Sequence, residues 1–282
     1  MTPAIAVIVP ARAAEATLPR TLAALDAQRG APAFELRVVE DDRGDGPAHA
    51  RNAGVAATTA PLLAFTDADC FPDPDWLARG AAALRDADLV QGAVLPERPP
   101  GPFDRTVTVR SGHGLFETAN LLCRRSLFEA LGGFEERWLV PPDGKELGED
   151  VWLGWRARRA GARVVFAQDV VVRHAVFPRG PHAFVRERER LAAFPALAKR
   201  IPELRSAAFH RRLFLTQRSL AFDAALAGLA AGVPLLAAPY AARVAEDARR
   251  EGGRVAAARA VADAAALGAL VRGSLRHRSP LL

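Results

Sequence analysis

Asp67 and Asp69 stand two residues apart, directly behind the apolar run Leu62 to Phe65. Carboxylates at i and i+2 across a strand-to-loop bend can turn together onto one cation, and hard oxygen ligands at that density suit Mg2+ or Mn2+. The competing interpretation is an acidic turn with side-chain caps. Asp73-Pro74 is expected to cap the next helix, which leaves Asp67 and Asp69 for another task. Three further groups could join them. The stretch GPAHARNAG sets Arg51 in the first turns of a helix, where it and the helix amides could hold a diphosphate. Glu149 and Asp150 open a helix after Gly148. The helix dipole alone favours acids there, but a carboxylate in that place is also a general-base candidate. His174 follows the run Val170-Val171-Val172, either as an edge histidine or as a metal ligand.

The elements that must position these groups follow from periodicity and breakers. Ile5 to Val9 is a β-branched run ended by Pro10, a buried strand. Thr17-Leu18-Pro19 opens a helix to about Gln28, with Thr17 as its cap. Strands follow at Phe34 to Val39, Leu62 to Phe65, Leu89 to Leu95 and Thr118 to Cys123, with helices after Gly46 and Asp73 and from Arg125 to Leu131. A helix from Glu149 to Gly161 precedes short strands at Arg163 to Phe166 and Val170 to Val172. Pro141 to Gly148 is a lid candidate. The alternation predicts an α/β fold, a mostly parallel sheet flanked by helices. Ligands of such sheets bind beyond the carboxyl ends of the strands, where Pro10, Asp41 and Asp67 fall.

A chain of 282 residues, half of them hydrophobic, supports one large α/β domain or a core of about 180 residues with an appendage. The net charge of +6 comes almost entirely from arginine; Lys145 and Lys199 are the only lysines. With so many alanines this points to compositional bias rather than to nucleic-acid binding, and no nucleic-acid partner is expected. Two cysteines, Cys70 and Cys123, and no zinc spacing suggest free thiols in a reducing, cytoplasmic compartment. The apolar N-terminus lacks a basic leader and is expected to be a strand, not a signal peptide.

In order, the chain carries IVPAR, VVED, GPAHARNAG, FTDADCFPDPDWL, TANLLCRRSLFEALGGF, GEDVWLGWRARRAG and VVRH. This series, over about residues 4 to 176, resembles the family 2 glycosyltransferases with the GT-A (Rossmann-like) fold. The resemblance implies inverting transfer of a sugar from a nucleotide-diphosphate sugar to a saccharide or lipid-linked acceptor, with Mg2+ or Mn2+. It places Pro10, Ala11 and Glu15 at the nucleotide base and Asp41 at the base or ribose. It sets Arg51 near the diphosphate and Asn120 on the sugar and acceptor side. Asp69 and His174, with Asp67, become the metal group, and Asp67 also orients the donor. Glu149 and Asp150 form the acidic pair, with Asp150 as the catalytic base. The chain departs from the family in having Glu40-Asp41 for a pair of aspartates, Arg12 after the first Pro-Ala, and a shortened stretch between Asp41 and Gly46.

Two rivals remain open. A haloacid-dehalogenase-like phosphatase also sets two aspartates behind a strand, but it wants a small residue where Phe71 stands. A non-catalytic sugar-nucleotide-binding module is compatible with the shortened stretch. The domains are expected to be a glycosyltransferase domain over residues 1–178 and a helical region over 179–282. Residues 220–242 border on the length of a membrane span; a buried helical pair is the alternative. Flanking arginines suggest peripheral contact with the inner face of the cytoplasmic membrane.

Overall fold

The computed structural model describes residues 2–41, 43–141 and 146–282. They form two compact units. The first runs to Pro99, resumes over Thr106–Val140 and ends at Val176; the second takes Pro100–Arg105 and Phe177–Leu282.

The first unit is built on seven strands. Its elements are β1 (Ile5–Ala11), α1 (Leu18–Asp26), β2 (Phe34–Glu40), α2 (Pro47–Ala56), β3 (Leu62–Phe65), β4 (Cys70–Pro72), α3 (Trp76–Ala83) and β5 (Leu89–Pro96). Then come β6 (Leu121–Arg124), α4 (Arg125–Ala130), α5 (Glu149–Arg159) and β7 (Val164–His174). The sheet order is β2-β1-β3-β6-β5-β7-β4. Ile5 to Val9 are wholly buried because β1 is flanked by strands on both sides and covered on both faces, so every side chain leaves water. Trp76, Leu77, Val90, Leu122 and Val172 join the same core, and burial at about 25 cal/mol per Å² of apolar surface makes it the main stabilising term.

The α/β expectation holds, but the sheet is mixed. β1 pairs in parallel with β2 and β3, and β5 with β7, whereas the β3–β6, β5–β6 and β4–β7 pairings are antiparallel. Alternation along a sequence cannot reveal this, because strand direction depends on how each connection returns. The expected strand from Thr118 begins as a short 3-10 turn, Thr118–Asn120, before β6. The two short strands near residue 170 are one strand with a register shift opposite Gly92 and Ala93. Neither expected helix cap is made by its side chain. The Thr17 hydroxyl faces the Ala14 carbonyl, and the Asp73 carboxylate accepts from Arg173 at 2.9 Å.

Asn120 closes the gap at that register shift. Its amide nitrogen donates to the carbonyls of Ala93 on β5 and Val170 on β7, both at 2.8 Å, and its oxygen accepts from the Trp76 indole at 2.8 Å. Gly92 is required here because a Cβ would collide with the Asn120 amide. The side chain is fully buried and all its polar atoms are engaged. This corrects its expected substrate contact: Asn120 joins two strands and a helix instead.

The second unit is helical, with α6 (Pro181–Arg186), α7 (Phe194–Arg200), α8 (Leu204–Ala207), α9 (Gln217–Ala230), α10 (Ala238–Glu251) and α11 (Gly253–His277). Residues 220–242 are not one span: α9 ends, the chain turns, and α10 begins. No helix among the described residues is long and apolar enough to cross a membrane.

Candidate active site

The loop after β3 is held rigidly. The Cys70 amide donates to the Asp67 carbonyl at 3.0 Å, closing a turn around Ala68 and Asp69. The buried Thr21 hydroxyl donates to the Ala68 carbonyl at 2.9 Å, and Thr66 donates to the Ala119 carbonyl at 3.0 Å. β4 then pairs with the end of β7 so that Cys70 lies opposite His174. The Ala175 amide donates to the Asp69 carbonyl at 2.9 Å. Strand register therefore brings Asp69 to His174 across about a hundred residues of sequence.

The Asp69 Oδ1 lies 3.6 Å from the His174 Nε2. His174 is buried, and its Nδ1 lies 2.7 Å from the Ala175 carbonyl and 3.3 Å from the Thr106 hydroxyl. A carbonyl only accepts, so Nδ1 carries a proton, and Nε2 is the ring nitrogen that faces the Asp69 carboxylate. That is the orientation a metal-binding imidazole has when a carbonyl fixes its other nitrogen. Asp69, His174 and Cys70 have ligand atoms within 4.8 Å of one another. Burial, followed by Asp67 and Asp69, pushes the Cys70 thiol well up, so it stays protonated. The usable donors are one carboxylate oxygen and one imidazole nitrogen, a set that would suit a divalent cation such as Mn2+ or Mg2+. Asp67, expected alongside them, is outside this group.

Asp67 Oδ1 instead accepts from Arg51 Nη2 at 2.8 Å, while Arg51 Nη1 donates to Glu149 Oε1 at 3.0 Å. Arg51 is 4% exposed, so it is turned away from the expected diphosphate contact. Burial opposes its charge, and Asp67 and Glu149 outweigh that, holding its pKa above the ordinary value. The guanidinium fork spans two carboxylates, tying the end of β3 to the start of α5. The amides of α2, expected to receive a phosphate, are met by another carboxylate: Ala48 donates to Glu146 at 3.3 Å. Pro142 to Lys145, the centre of the expected lid, lie outside the described residues.

Asp150 follows Glu149 on the first turn of α5. Its Oδ1 accepts from the Val151 amide at 2.7 Å and its Oδ2 from the Thr118 amide at 3.4 Å. Burial, then the charges of Glu149 and Glu117, push its pKa well up, while Arg51 on α2 opposes them. A carboxyl held in this way is poised as a proton acceptor nearer neutrality. Glu117 was not singled out from the sequence. It carries a raised pKa of its own, from burial against the opposing pull of His113. Its adjacency to Thr118 is the one signal that could have pointed to it.

At the β1 and β2 ends, the Asp41 amide donates to the Ala11 carbonyl at 2.9 Å, and Pro10 lies opposite Val39. The Asp41 carboxylate accepts from the amides of Asp45 at 2.8 Å and Gly46 at 3.2 Å. These bonds close the shortened stretch into a tight turn leading into α2. Glu15 is exposed in the loop between β1 and α1.

Residues 33–134, which span β2 to the loop after α4, match the family described as Glycosyl transferase family 2. This stretch belongs to that family. A glycosyltransferase of Haloferax volcanii, AglE, is 31% identical over 157 residues, covering 51% of this chain and 49% of that protein. The chain thus spans about half the length of this relative. Among solved structures, a mannosyltransferase from Pyrobaculum calidifontis in complex with GDP-Man and Mn2+ superposes with a TM-score of 0.54 at 21% identity, over 99% of this chain and 88% of that one. S. aureus TarS in complex with UDP-GlcNAc does so with a TM-score of 0.50 at 19% identity, over 99% and 93%. The family 2 segment therefore sits in a GT-A fold, and it supplies β2, β3, Arg51, Asp67 and Asp69 to the geometry described above.

Proposed function

We propose that this chain transfers a sugar, with inversion, from a nucleotide-diphosphate sugar to an acceptor hydroxyl, and that residues 1–178 carry the reaction. The observation that carries the proposal is the pairing of Asp69 with the His174 Nε2 at one end of the sheet, in the unit where Asp150 has its pKa raised. The nucleotide sugars held by the two structural neighbours support a donor of that class.

Asp69 and His174 would hold the divalent cation, which supplies charge neutralisation at the leaving diphosphate. Pro10, Ala11, Glu15 and Asp41 flank the nucleoside, with Asp41 also bracing its own turn. Asp67, bonded to Arg51, orients the donor. Asp150 accepts the proton of the acceptor hydroxyl at a carboxylate oxygen as the new oxygen–carbon bond forms at the anomeric carbon. The bond from that carbon to the diphosphate breaks on the opposite face, so the electron pair leaves with the diphosphate. Arg51 and Glu149 act by holding Asp67 and the start of α5 in register, not by touching the donor.

Thermal unfolding tests the donor site. With Mn2+, GDP-Man or UDP-GlcNAc at about 100 times its Kd should stabilise the native chain by about 2.7 kcal/mol. Asp69→Asn and His174→Ala should abolish the Mn2+ dependence of that stabilisation. If both variants keep the parental Mn2+ response, the cation is held elsewhere. Turnover of a generic phosphate ester with Mg2+ would favour the phosphatase instead.

A further inference from the structure

The turn joining α9 to α10 is apolar, outward-facing and built. From Ala224 to Ala242 no charged residue occurs. Leu235 is 80% exposed and Leu229 60%, and Leu226, Val233 and Leu236 are exposed beside them. The turn is not a frayed helix end. Gly232 takes a positive φ of 71°, and Gly228, lacking a Cβ, lets Leu236 and the Val233 carbonyl fold back against α9. Earlier in α9, Ala221, Phe222 and Ala225 are buried.

Most of its amides are bonded within the turn. The amides of Ala231, Gly232, Val233 and Leu236 donate to the carbonyls of Ala227, Leu229, Gly228 and Val233. The one polar side chain nearby, Tyr240, directs its hydroxyl inward to Asp263 at 2.8 Å. A segment whose amides are largely bonded internally and whose side chains are apolar can enter a hydrocarbon boundary with few donors left unpaired. The charge of the chain is divided to match. Residues 177–282 hold 18 Lys and Arg against 8 Asp and Glu, a net +10, although the whole chain is only +6. Arg243, soon after the turn, is exposed and makes no ion pair with any described residue.

We infer that the turn carrying Leu229, Val233, Leu235 and Leu236 is a shallow insertion point for an anionic lipid surface, with the arginines of the helical unit as its electrostatic anchor. Apolar tip and basic field are the two signals that interfacial binding needs together. A second copy of the chain is the less favoured occupant, because two units of net +10 would repel as their tips met. The inference is independent of the transfer reaction.

Co-sedimentation of the full chain with vesicles tests it. The parent should sediment with phosphatidylcholine vesicles containing phosphatidylglycerol and stay in the supernatant with phosphatidylcholine alone. Leu229→Asp with Leu235→Asp should weaken partitioning at least roughly tenfold, since an inserted apolar group becomes a charge, while the far-UV spectrum and melting temperature stay parental. Leu235→Trp should keep binding and gain fluorescence quenching by brominated lipid. Failure of the parent to bind anionic vesicles would overturn the inference, as would undiminished binding by the double aspartate variant. So would a dimer of the parent, seen by sedimentation velocity, that the aspartates dissociate while neither protein binds lipid.

Discussion

Replacing Arg51 with methionine should destabilise the chain by about 3–5 kcal/mol, the range for removing one partner of a buried ion pair. Methionine keeps much of the volume, so the effect isolates the charge. Glu149 would then be left buried without its counter-charge, next to an Asp150 that already resists ionisation. Asp67 is more open, with 30% of its side chain exposed, so water would compensate part of its loss. Most of the cost therefore falls on the Glu149 side. Arg51→Lys should recover only a fraction, because one ammonium cannot present a planar fork to two carboxylates. Adding Glu149→Gln to Arg51→Met should return a large part of the lost stability. Urea denaturation at neutral pH reads all three. A loss below about 1 kcal/mol for Arg51→Met would mean that the bridge is not what holds α5 to β3.

Asp150→Asn should lower transfer by about 10²- to 10⁴-fold, the usual contribution of a positioned general base, while nucleotide-sugar binding stays parental. Its effect on stability has the opposite sign. An acid whose folded pKa is raised favours the fold below its unfolded pKa and loses that favour as pH rises through the folded value. Burial, Glu149 and Glu117 raise that of Asp150, with Arg51 opposing. Ionised Asp150 is therefore a cost to the native state at neutral and alkaline pH. The asparagine variant should melt higher than the parent at pH 8, and the gap should close on acidification. Parental transfer should decline as pH falls at values above those where an ordinary aspartate protonates. Parental transfer by the asparagine variant would remove Asp150 from the base role. A lower melting temperature at pH 8 would refute the charge argument without touching the catalytic one.

What was legible in the sequence was local. The β-branched run of β1, the strand ends at Asp41 and Asp67, and the acids opening α5 follow from periodicity and short-range chemistry. The order of motifs carried the fold. What could not be read depends on groups far apart in sequence. β4 has only three residues and exists because β7 returns alongside it. Arg51 could be placed in a helix, but not turned inward, because its partners lie 16 and 98 residues away. Glu117 affects Asp150 through its charge, at a closeness across the fold that no pattern of residue types announces. The Asp73 cap failed for a related reason: its carboxylate found a partner in Arg173, 100 residues further on. Residues 220–242 bordered on the length of a span, with a buried helical pair as the favoured alternative; the turn at Gly232 decides against the span.

The Asn120 junction bears on the order in which the chain assembles. Its three bonds reach residues 27, 44 and 50 positions away, to two strands and a helix that no single local nucleus contains. Loop closure must precede each of them, so they form after the strands have met. Interactions that are absent from the folding transition state act on the unfolding limb. The junction then works as a latch: it does little to hasten folding, and its main effect is to lengthen the lifetime of the closed β5–β7 seam behind the candidate site.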